Sequence, residues 1–597
     1  MTTPSPRPAE LLRRLLIAAV IGVSALDAWF YRQWNLNPDG VSYFDIARAF
    51  VEHGPAALIN GYWSPLYPAT IGLGMQLFSP GPDWSYPLVR AIGFIVAVIA
   101  VLAFDRLIRT VVASNTELQA AHDTSHWTAL TFLTALWALF FLLVTQAIGM
   151  HLATPDMGVA AIVFFVAAEL TTLASAPWSA ARWSRLGVCL GVGYWWKAIL
   201  FPVAGVAFAL AGWIVLRRRD PWKPVIAGAS AFAVVAMLIA VPVSLLVGRP
   251  TFGETGRLNH LWFVSNVPAV ATLCISPEGR LNTGDNGTVP TEPVLLAHPL
   301  TCGTRELDPE ATLPLWYDPS PWYANATNHL RGSEFAVAVR NNIEYIRAAL
   351  AESLPVAAIA LGLALAGALG AAATARRVGS GWPAVALGAM PIAAYVIVYV
   401  ELRHIVPFLL CMSVWALATL IARRTPWALA LVVVVAIGAG IDGVRRIATQ
   451  QRVELAITLH ELQGAPRPEQ VSVRVARELR ARGLEAGDRV ATVNTLWNVD
   501  WAQRAGLAVR AYIPELTYPL DRTFEQLQDP CRLASFQEAM RKARIRAVIL
   551  KDVDLFASPT TFAPLGDTGY RLLLVGATPP PPASCDPTRL SSGTAAH

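Results

Sequence analysis

Runs of about twenty apolar residues, each long enough to cross a bilayer, recur along this chain. They lie near residues 11–31, 86–105, 128–148, 157–175, 186–216, 225–248, 353–373, 383–400, 405–421 and 427–444. With a mean hydropathy of +0.45 and only 15% charged residues, a chain of 597 residues is too apolar to be an ordinary soluble protein. It reads as a mainly α-helical, polytopic membrane protein. The run at 186–216 is too long for one crossing. Split near Lys197 and Pro202, it raises the count to about eleven spans, and the loop charges test the split. From a cytoplasmic N-terminus carrying Arg13 and Arg14, the inward connections then hold Arg106 and Arg109, Arg182 and Arg185, Arg217, Arg218, Arg219 and Lys223, Arg376 and Arg377, and Arg423 and Arg424. Every inward loop is basic, as the positive-inside rule requires, whereas without the split the pattern inverts halfway along the chain. The net charge of +6 is largely these arginines, so it orients the chain in a membrane and gives no case for nucleic acid. No small-residue cleavage pattern follows the first run, which is expected to stay as a helix.

The same count places on the outer side Asp39, Asp156, Lys197, a long loop from about 249 to 352, Glu401 to His404, and everything after the last run. Two domains are expected: 1–450, a transmembrane domain that includes the loop at 249–352, and 451–597, a small extracytoplasmic α/β domain. In the latter, GDRVATVN, IRAVILK and GYRLLLVG read as short buried strands, and VSVRVARELRARGL and FQEAMRKARI as amphipathic helices. No Gly-rich phosphate fingerprint follows those strands, and a proline run at 579–582 leads into a polar end. Cys189 and Cys411 fall within spans. Cys274 and Cys302 fall in the outer loop and Cys531 and Cys585 in the C-terminal region, two pairs that suggest two disulfides in an oxidising compartment or else four free thiols.

The first outward stretch, NPDGVSYFDIARAFVEHGPAALINGYWSPLYP at 37–68, is rich in polar groups. Val41, Phe44, Ala47, Phe50 and Val51 recur at helical spacing with Asp45, Arg48 and Glu52 on other faces, so an amphipathic juxtamembrane helix follows Asp39. A carboxylate at such an N-terminus can be a cap or a catalytic group. A second interfacial helix follows, and Tyr43, Tyr62 and Trp63 are candidates for substrate contact. In HLATPDMG, Thr154 can cap, Pro155 suits the first helical position and Asp156 the first turn. Lys197 in GVGYWWKAILFP reads as a snorkelling lysine among interfacial aromatics or as a cation for an anionic ligand. In GRPTFGETGRLNHLWF, Arg257 and His260 share a face if the segment is helical. WYDPSPWYANATNH at 316–329 suits a sugar-facing surface, and the tripeptides at Asn286 and Asn325 match a glycosylation acceptor pattern. YVELRHIVP at 399–407 sets Glu401, Arg403 and His404 together, either as an internal ion pair or with Arg403 poised for a phosphate.

PDGVSYFDIAR followed by YWSPLYP, the Gly-rich span ending in Lys197, and the Glu-Leu-Arg-His-x-x-Pro stretch together resemble the superfamily of membrane glycosyltransferases that use polyprenyl-phosphate sugars. Protein mannosyltransferases and lipid A aminoarabinose transferases belong to it. The resemblance implies the C-type glycosyltransferase fold. It implies Asp39 as the catalytic carboxylate and Asp156 as a second acidic residue, a metal ligand or one that orients the acceptor. Lys197, Arg257, Arg403 and His404 would bind the donor phosphate, and His260 and Glu401 would line the substrate site. In related aminoarabinose transferases a histidine in the corresponding loop joins a metal site. Here the glutamate-lysine pair of their first loop is absent, Asn60 to Ser64 reading NGYWS, so a divalent cation on Asp39, Asp156 and His260 stays an open element. The expected activity is inverting transfer of a monosaccharide, hexosyl or pentosyl, from a polyprenyl-phosphate donor to a glycan, lipid or protein acceptor. The expected location is the outer face of a bacterial cytoplasmic membrane. The alternative is a transporter or flippase of a lipid-linked sugar, for which the same charges would mark a translocation path.

Overall fold

The computed structural model describes the chain except for residues 1–7, 120–125, 268, 270–279, 283–287, 291–301, 304–310, 325, 375–380, 494–498, 514–528, 552–560 and 577–597. Asn286 and Asn325, Cys274, Cys585, the Arg376 and Arg377 pair and the proline run at 579–582 lie outside the described residues, as does the side chain of Cys302. Cys531 is disulfide-bonded, and both expected pairings involve residues outside the described ones. Cys189 and Cys411 are free thiols.

Two compact units divide the chain. The first comprises Met1–Gln33, Trp63–Val264 and Leu330–Arg467. Each apolar run is helical in it, and eight described helices are long and apolar enough to cross a membrane: Pro82–Ala113, His126–Ala147, Asp156–Ser175, Leu200–Arg218, Lys223–Val247, Pro355–Ala373, Leu402–Ala422 and Pro426–Leu462. Trp382–Val398 is a shorter apolar helix. Pro8–Phe30 and Ala180–Trp196 account for the other two expected runs. The long run is broken as the charge pattern required: one helix ends at Trp196, Lys197 adopts extended backbone, and the next begins at Leu200.

Helices Asp156–Ser175 and Leu402–Ala422 are the most enclosed, each with 78% of its apolar window buried, so they form the centre of this unit. Phe104, Trp137, Phe140 and Phe164 meet there at ring separations of 4.7 to 6.2 Å, typical of offset and edge contacts. Several charged groups in this interior are paired. Asp27 accepts from Arg446 and Gln451, and Asp442 Oδ2 accepts the amides of Val356 and Ala357, capping a neighbouring helix across space.

Helix Ala180–Trp196 crosses helix Lys223–Val247 at its glycines. A Cβ on Gly187 would lie 2.0 Å from the Gly228 carbonyl oxygen, and one on Gly191 would lie 2.6 Å from the Val235 Cβ. Without a hydrophobic drive between helices in lipid, such close approach is a main source of association, and small residues four apart permit it. Gly187→Ala is therefore expected to lower the thermal midpoint of the purified protein in detergent by several degrees. Gly205→Ala, where nothing lies within 4 Å, serves as the control and should leave the midpoint unchanged. Equal midpoints for both variants would refute the close-contact account.

The second unit comprises Trp34–Tyr62, Ser265–His329 and Pro468–His597. Most of the first outward stretch and the middle of the long loop thus group with the C-terminal region. Its six-stranded sheet has the order β3-β5-β4-β6-β8-β7, with β3 Cys302–Gly303, β4 Arg489–Val493, β5 Ala508–Ile513, β6 Ile545–Lys551, β7 Ala563–Pro564 and β8 Tyr570–Leu574. A separate antiparallel pair joins β1 Arg280–Asn282 to β2 Thr288–Pro290. β4, β6 and β8 are the three strands expected from the sequence. The added β5 runs parallel to β4 on the side away from β6, and Ala508, Val509, Arg510 and Ala511 of it are all buried. Helices Val471–Ala481 and Pro530–Lys542 match the two amphipathic segments. Phe536 and Met540 of the latter pack on Val493, Val548 and Leu550 of the sheet.

Candidate active site

In the first unit, Asp156 is the first residue of its helix and is buried. That helix begins after Pro155, with no side-chain cap, so Thr154 does not fill the expected role. Instead the carboxylate turns to Lys197, whose ammonium donates to Oδ1, while Arg403 Nη1 stands 4.0 Å from Oδ2. Among the described residues Oδ2 accepts no hydrogen bond. The Asp156 side chain is 3% exposed, whereas those of Lys197 and Arg403 are 21% and 16% exposed. Asp156 thus lies behind the two cations of this cluster, and the Glu401 carboxylate beside Arg403 is 27% exposed. Trp196 closes its floor: its indole donates to the Pro155 carbonyl at 2.6 Å and packs where a side chain on Gly158 would stand.

Arg403 is oriented by a second carboxylate. Glu401 accepts from Arg403 Nε at 2.5 Å and from the Tyr399 hydroxyl at 2.5 Å. The Glu401 amide also donates to His404 Nδ1 at 3.3 Å, and the two residues form a capping box at the start of helix Leu402–Ala422. His404 thus uses Nδ1 as an acceptor, and the Tyr395 ring stacks on it at 4.9 Å. The cap and the stacked ring together fix the imidazole in place.

Arg257 and His260 lie on helix Thr255–Phe263, one turn apart as expected. Arg257 Nε donates to Glu254 at 2.6 Å, and that buried carboxylate also receives Arg249 and the Thr251 hydroxyl at 3.1 Å. Phe263, at the end of the same helix, stacks on Tyr399 at 3.8 Å and ties this group to the Asp156 cluster.

Asp39 belongs to the second unit. It sits in the first turn of helix Pro38–His53, which Asn37 does not cap through its side chain. Trp316 Nε1 donates to Asp39 Oδ1 at 3.2 Å, and the Ser42 hydroxyl donates to the Trp316 carbonyl at 3.0 Å. An indole aimed at one oxygen orients the carboxylate without neutralising it. The helix differs from a simple amphipathic one: every residue from Gly40 to Ala47 is buried, Tyr43 and Asp45 included. Burial pushes the Asp45 carboxyl above its ordinary range, against Arg48 and its hydrogen-bond donors, which pull it back. Farther on, Asn60 Nδ2 donates to the Tyr317 carbonyl at 2.8 Å and the Gly61 amide to Asp318 at 2.8 Å. Tyr62 lies with its ring 5.6 Å from Trp316. Tyr62 and Trp63 are both buried, and Tyr323 of the expected sugar-facing segment is fully so.

Asp156, Lys197, Glu401, Arg403 and His404 are thus brought into one cluster. Glu254, Trp316, Asp318 and Tyr399 are participants that the sequence reading did not single out. Glu254 carried a local signal, since it precedes Arg257 by three residues, and Trp316 and Asp318 lie in the stretch that suits a sugar-facing surface. No three His, Cys, Asp or Glu side chains among the described residues converge as a metal site.

No family model matches the chain, and no curated protein does. Among solved structures it is similar to ArnT from Cupriavidus metallidurans in the apo state, at 15% identity over 93% of this chain and 97% of that one, with a TM-score of 0.47. ArnT from the same organism bound to undecaprenyl phosphate gives 14% identity over 95% and 99%, with a TM-score of 0.45. The Archaeoglobus fulgidus oligosaccharyltransferase in complex with Zn and sulfate gives 11% over 89% and 68%, with a TM-score of 0.38. With TM-scores below 0.5, none of them carries a residue role over to this chain.

Proposed function

We propose that this chain is a membrane glycosyltransferase that moves a monosaccharide from a polyprenyl-phosphate donor to an acceptor hydroxyl on a glycan, lipid or protein. The observation that carries the reading is the pair of partly exposed cations, Lys197 and Arg403, seated on the buried Asp156 at the ends of apolar helices. The membrane is the bacterial cytoplasmic one, with the C-terminal region extracytoplasmic, as the loop charges suggest.

The chemistry accounts for the residue types. The acceptor oxygen attacks the anomeric carbon, the bond from that carbon to the phosphate oxygen breaks, and the acceptor proton passes to Asp39 as general base. The donor phosphodiester carries one negative charge and the departing polyprenyl phosphate carries two. Cations fixed before the reaction therefore bind the leaving group more strongly as the bond breaks, which accelerates transfer instead of merely tightening substrate binding. Asp156 holds Lys197 and faces Arg403, and Glu401 turns the Arg403 guanidinium, a geometry suited to phosphate. Arg257 adds positive charge from its own helix. A single displacement inverts the anomeric centre. In this assignment Asp156 orients cations, so the reaction as proposed needs no metal on it.

The ionic groups stand at helix ends: Asp156 begins a helix, Lys197 follows one and Glu401 caps one. A translocation path would place them along the spans. Purified protein in detergent, offered a panel of polyprenyl-phosphate monosaccharides with radiolabelled sugars, is expected to consume at least one donor and release polyprenyl phosphate. Consumption of none, with lipid-linked sugar crossing the membrane of reconstituted vesicles, would establish the transporter instead.

A further inference from the structure

Within the second unit, helix Pro38–His53 is held by a connected set of buried polar side chains that take no part in the proposed transfer chemistry. Gln503 Nε2, from helix Asp500–Ala505, donates to Asp45 Oδ1 at 3.0 Å and to the Val41 carbonyl at 3.2 Å. Asp45 also accepts the Thr312 amide at 2.7 Å and the Thr312 hydroxyl at 2.9 Å. Four residues after Thr312 comes Trp316, whose indole donates to Asp39. Asp500, one turn before Gln503, accepts the Leu36 amide at 2.8 Å, just ahead of the helix that carries Asp39. Asp45, Thr312, Gln503 and Asp500 are each no more than 7% exposed.

Burying four polar side chains is costly unless every one is satisfied, and apolar packing alone would hold a helix in place more cheaply. A polar set adds directionality: it admits one rotation and one register of the helix against its neighbours. Asp39 and Asp45 are six residues apart on one rigid helix. A hydrogen bond that fixes Asp45 on Thr312 therefore also sets the distance at which Trp316 meets Asp39.

We infer that Asp45, Gln503 and Asp500 are positioning residues for the Asp39 carboxylate, so that the C-terminal region takes part in catalysis by locking the helix that bears the base. The inference rests on Asp39 being that base. None of the three touches the reacting groups; each acts through Thr312 and Trp316 or through the backbone at Leu36 and Val41.

The test is a double-mutant cycle on sugar transfer by the full-length protein, using Gln503→Leu, Trp316→Phe and the pair. Misplacing a catalytic group by about an ångström costs on the order of 10²-fold in rate. Gln503→Leu is therefore expected to lower kcat roughly 10- to 100-fold while the donor KM stays within about twofold. Because Gln503 and Trp316 are inferred to set the position of the same carboxylate, the pair should be no more than about twofold slower than the worse single variant. A second series covers the case in which Gln503→Leu does not fold. Asp500→Asn, whose amide oxygen still accepts from Leu36, should keep kcat, and Asp500→Leu should lose it. An unchanged kcat in a folded Gln503→Leu, multiplicative costs in the pair, or equal kcat for the two Asp500 variants would overturn the inference. Asp39→Asn run in parallel separates the causes. If it still transfers sugar, the assignment of the base fails and the inference with it; if it is inactive and the cycle is multiplicative, only the positioning role fails.

Discussion

Asp39→Asn is expected to lose sugar transfer by about 10²- to 10⁴-fold in kcat, the range spanned by removal of a general base. The substitution preserves shape, and the amide oxygen still accepts the Trp316 indole that meets Asp39 Oδ1 at 3.2 Å. The helix, its contacts and the cations of the other unit are left as they were, so donor affinity should change by no more than a few-fold and the thermal midpoint hardly at all. What disappears is the negative charge that draws the acceptor proton. Initial rates over a range of donor concentrations, beside equilibrium binding of the unlabelled donor, separate the two effects. A folded Asp39→Asn protein with rates near wild type would limit Asp39 to a structural role in the first turn of its helix.

Asp156→Asn should act in the opposite order, on stability first. Removing one partner of a buried ion pair leaves the other uncompensated and costs about 3–5 kcal/mol. The cost here should fall toward the lower end of that range, because the Lys197 side chain keeps 21% exposure and can recover some hydration. The repair is informative. Adding Lys197→Met to Asp156→Asn removes the stranded charge and should restore much of the thermal midpoint in detergent, yet transfer should stay low because one of the two phosphate-facing cations is gone. Full recovery of both stability and transfer would show that Lys197 serves only to neutralise Asp156. Recovery of neither would place the importance of Asp156 elsewhere, beyond its pairing with this lysine.

The glycine crossing at Gly187 and the Gln503 cycle probe the scaffold, whereas these two substitutions probe the chemistry. They are separable because Asp39 and Asp156 belong to different compact units. A defect confined to kcat and a defect that begins with stability are then distinguishable in the same assay.

How far the chain could be read in advance depended on the range of each interaction. Span positions, the break after Trp196 and three strands of the sheet were legible, because apolar length, loop charge and short apolar runs are properties of neighbouring residues. Lys197, Arg403 and His404 stood out as charged groups interrupting apolar sequence. The use of His404 Nδ1 as a cap acceptor did not, since that depends on backbone direction at Glu401. Glu254 was available at helical spacing from Arg257. Nothing local marked Trp316 as the partner of Asp39, 277 residues earlier, or Gln503 as the partner of Asp45, 458 residues away.

The sequence alone determined that this is a helical membrane chain with ionic groups at the helix ends and a small α/β region after the last span. Burial of apolar length and pairing of backbone groups in lipid leave no other outcome. Only the tertiary structure decided which carboxylate each cation meets, that Asp45 is buried and clamped, and that an indole from a distant loop aims Asp39. Those contacts are hydrogen bonds made over a few ångströms, and their partners are chosen by the folded path of the backbone, which no local pattern encodes.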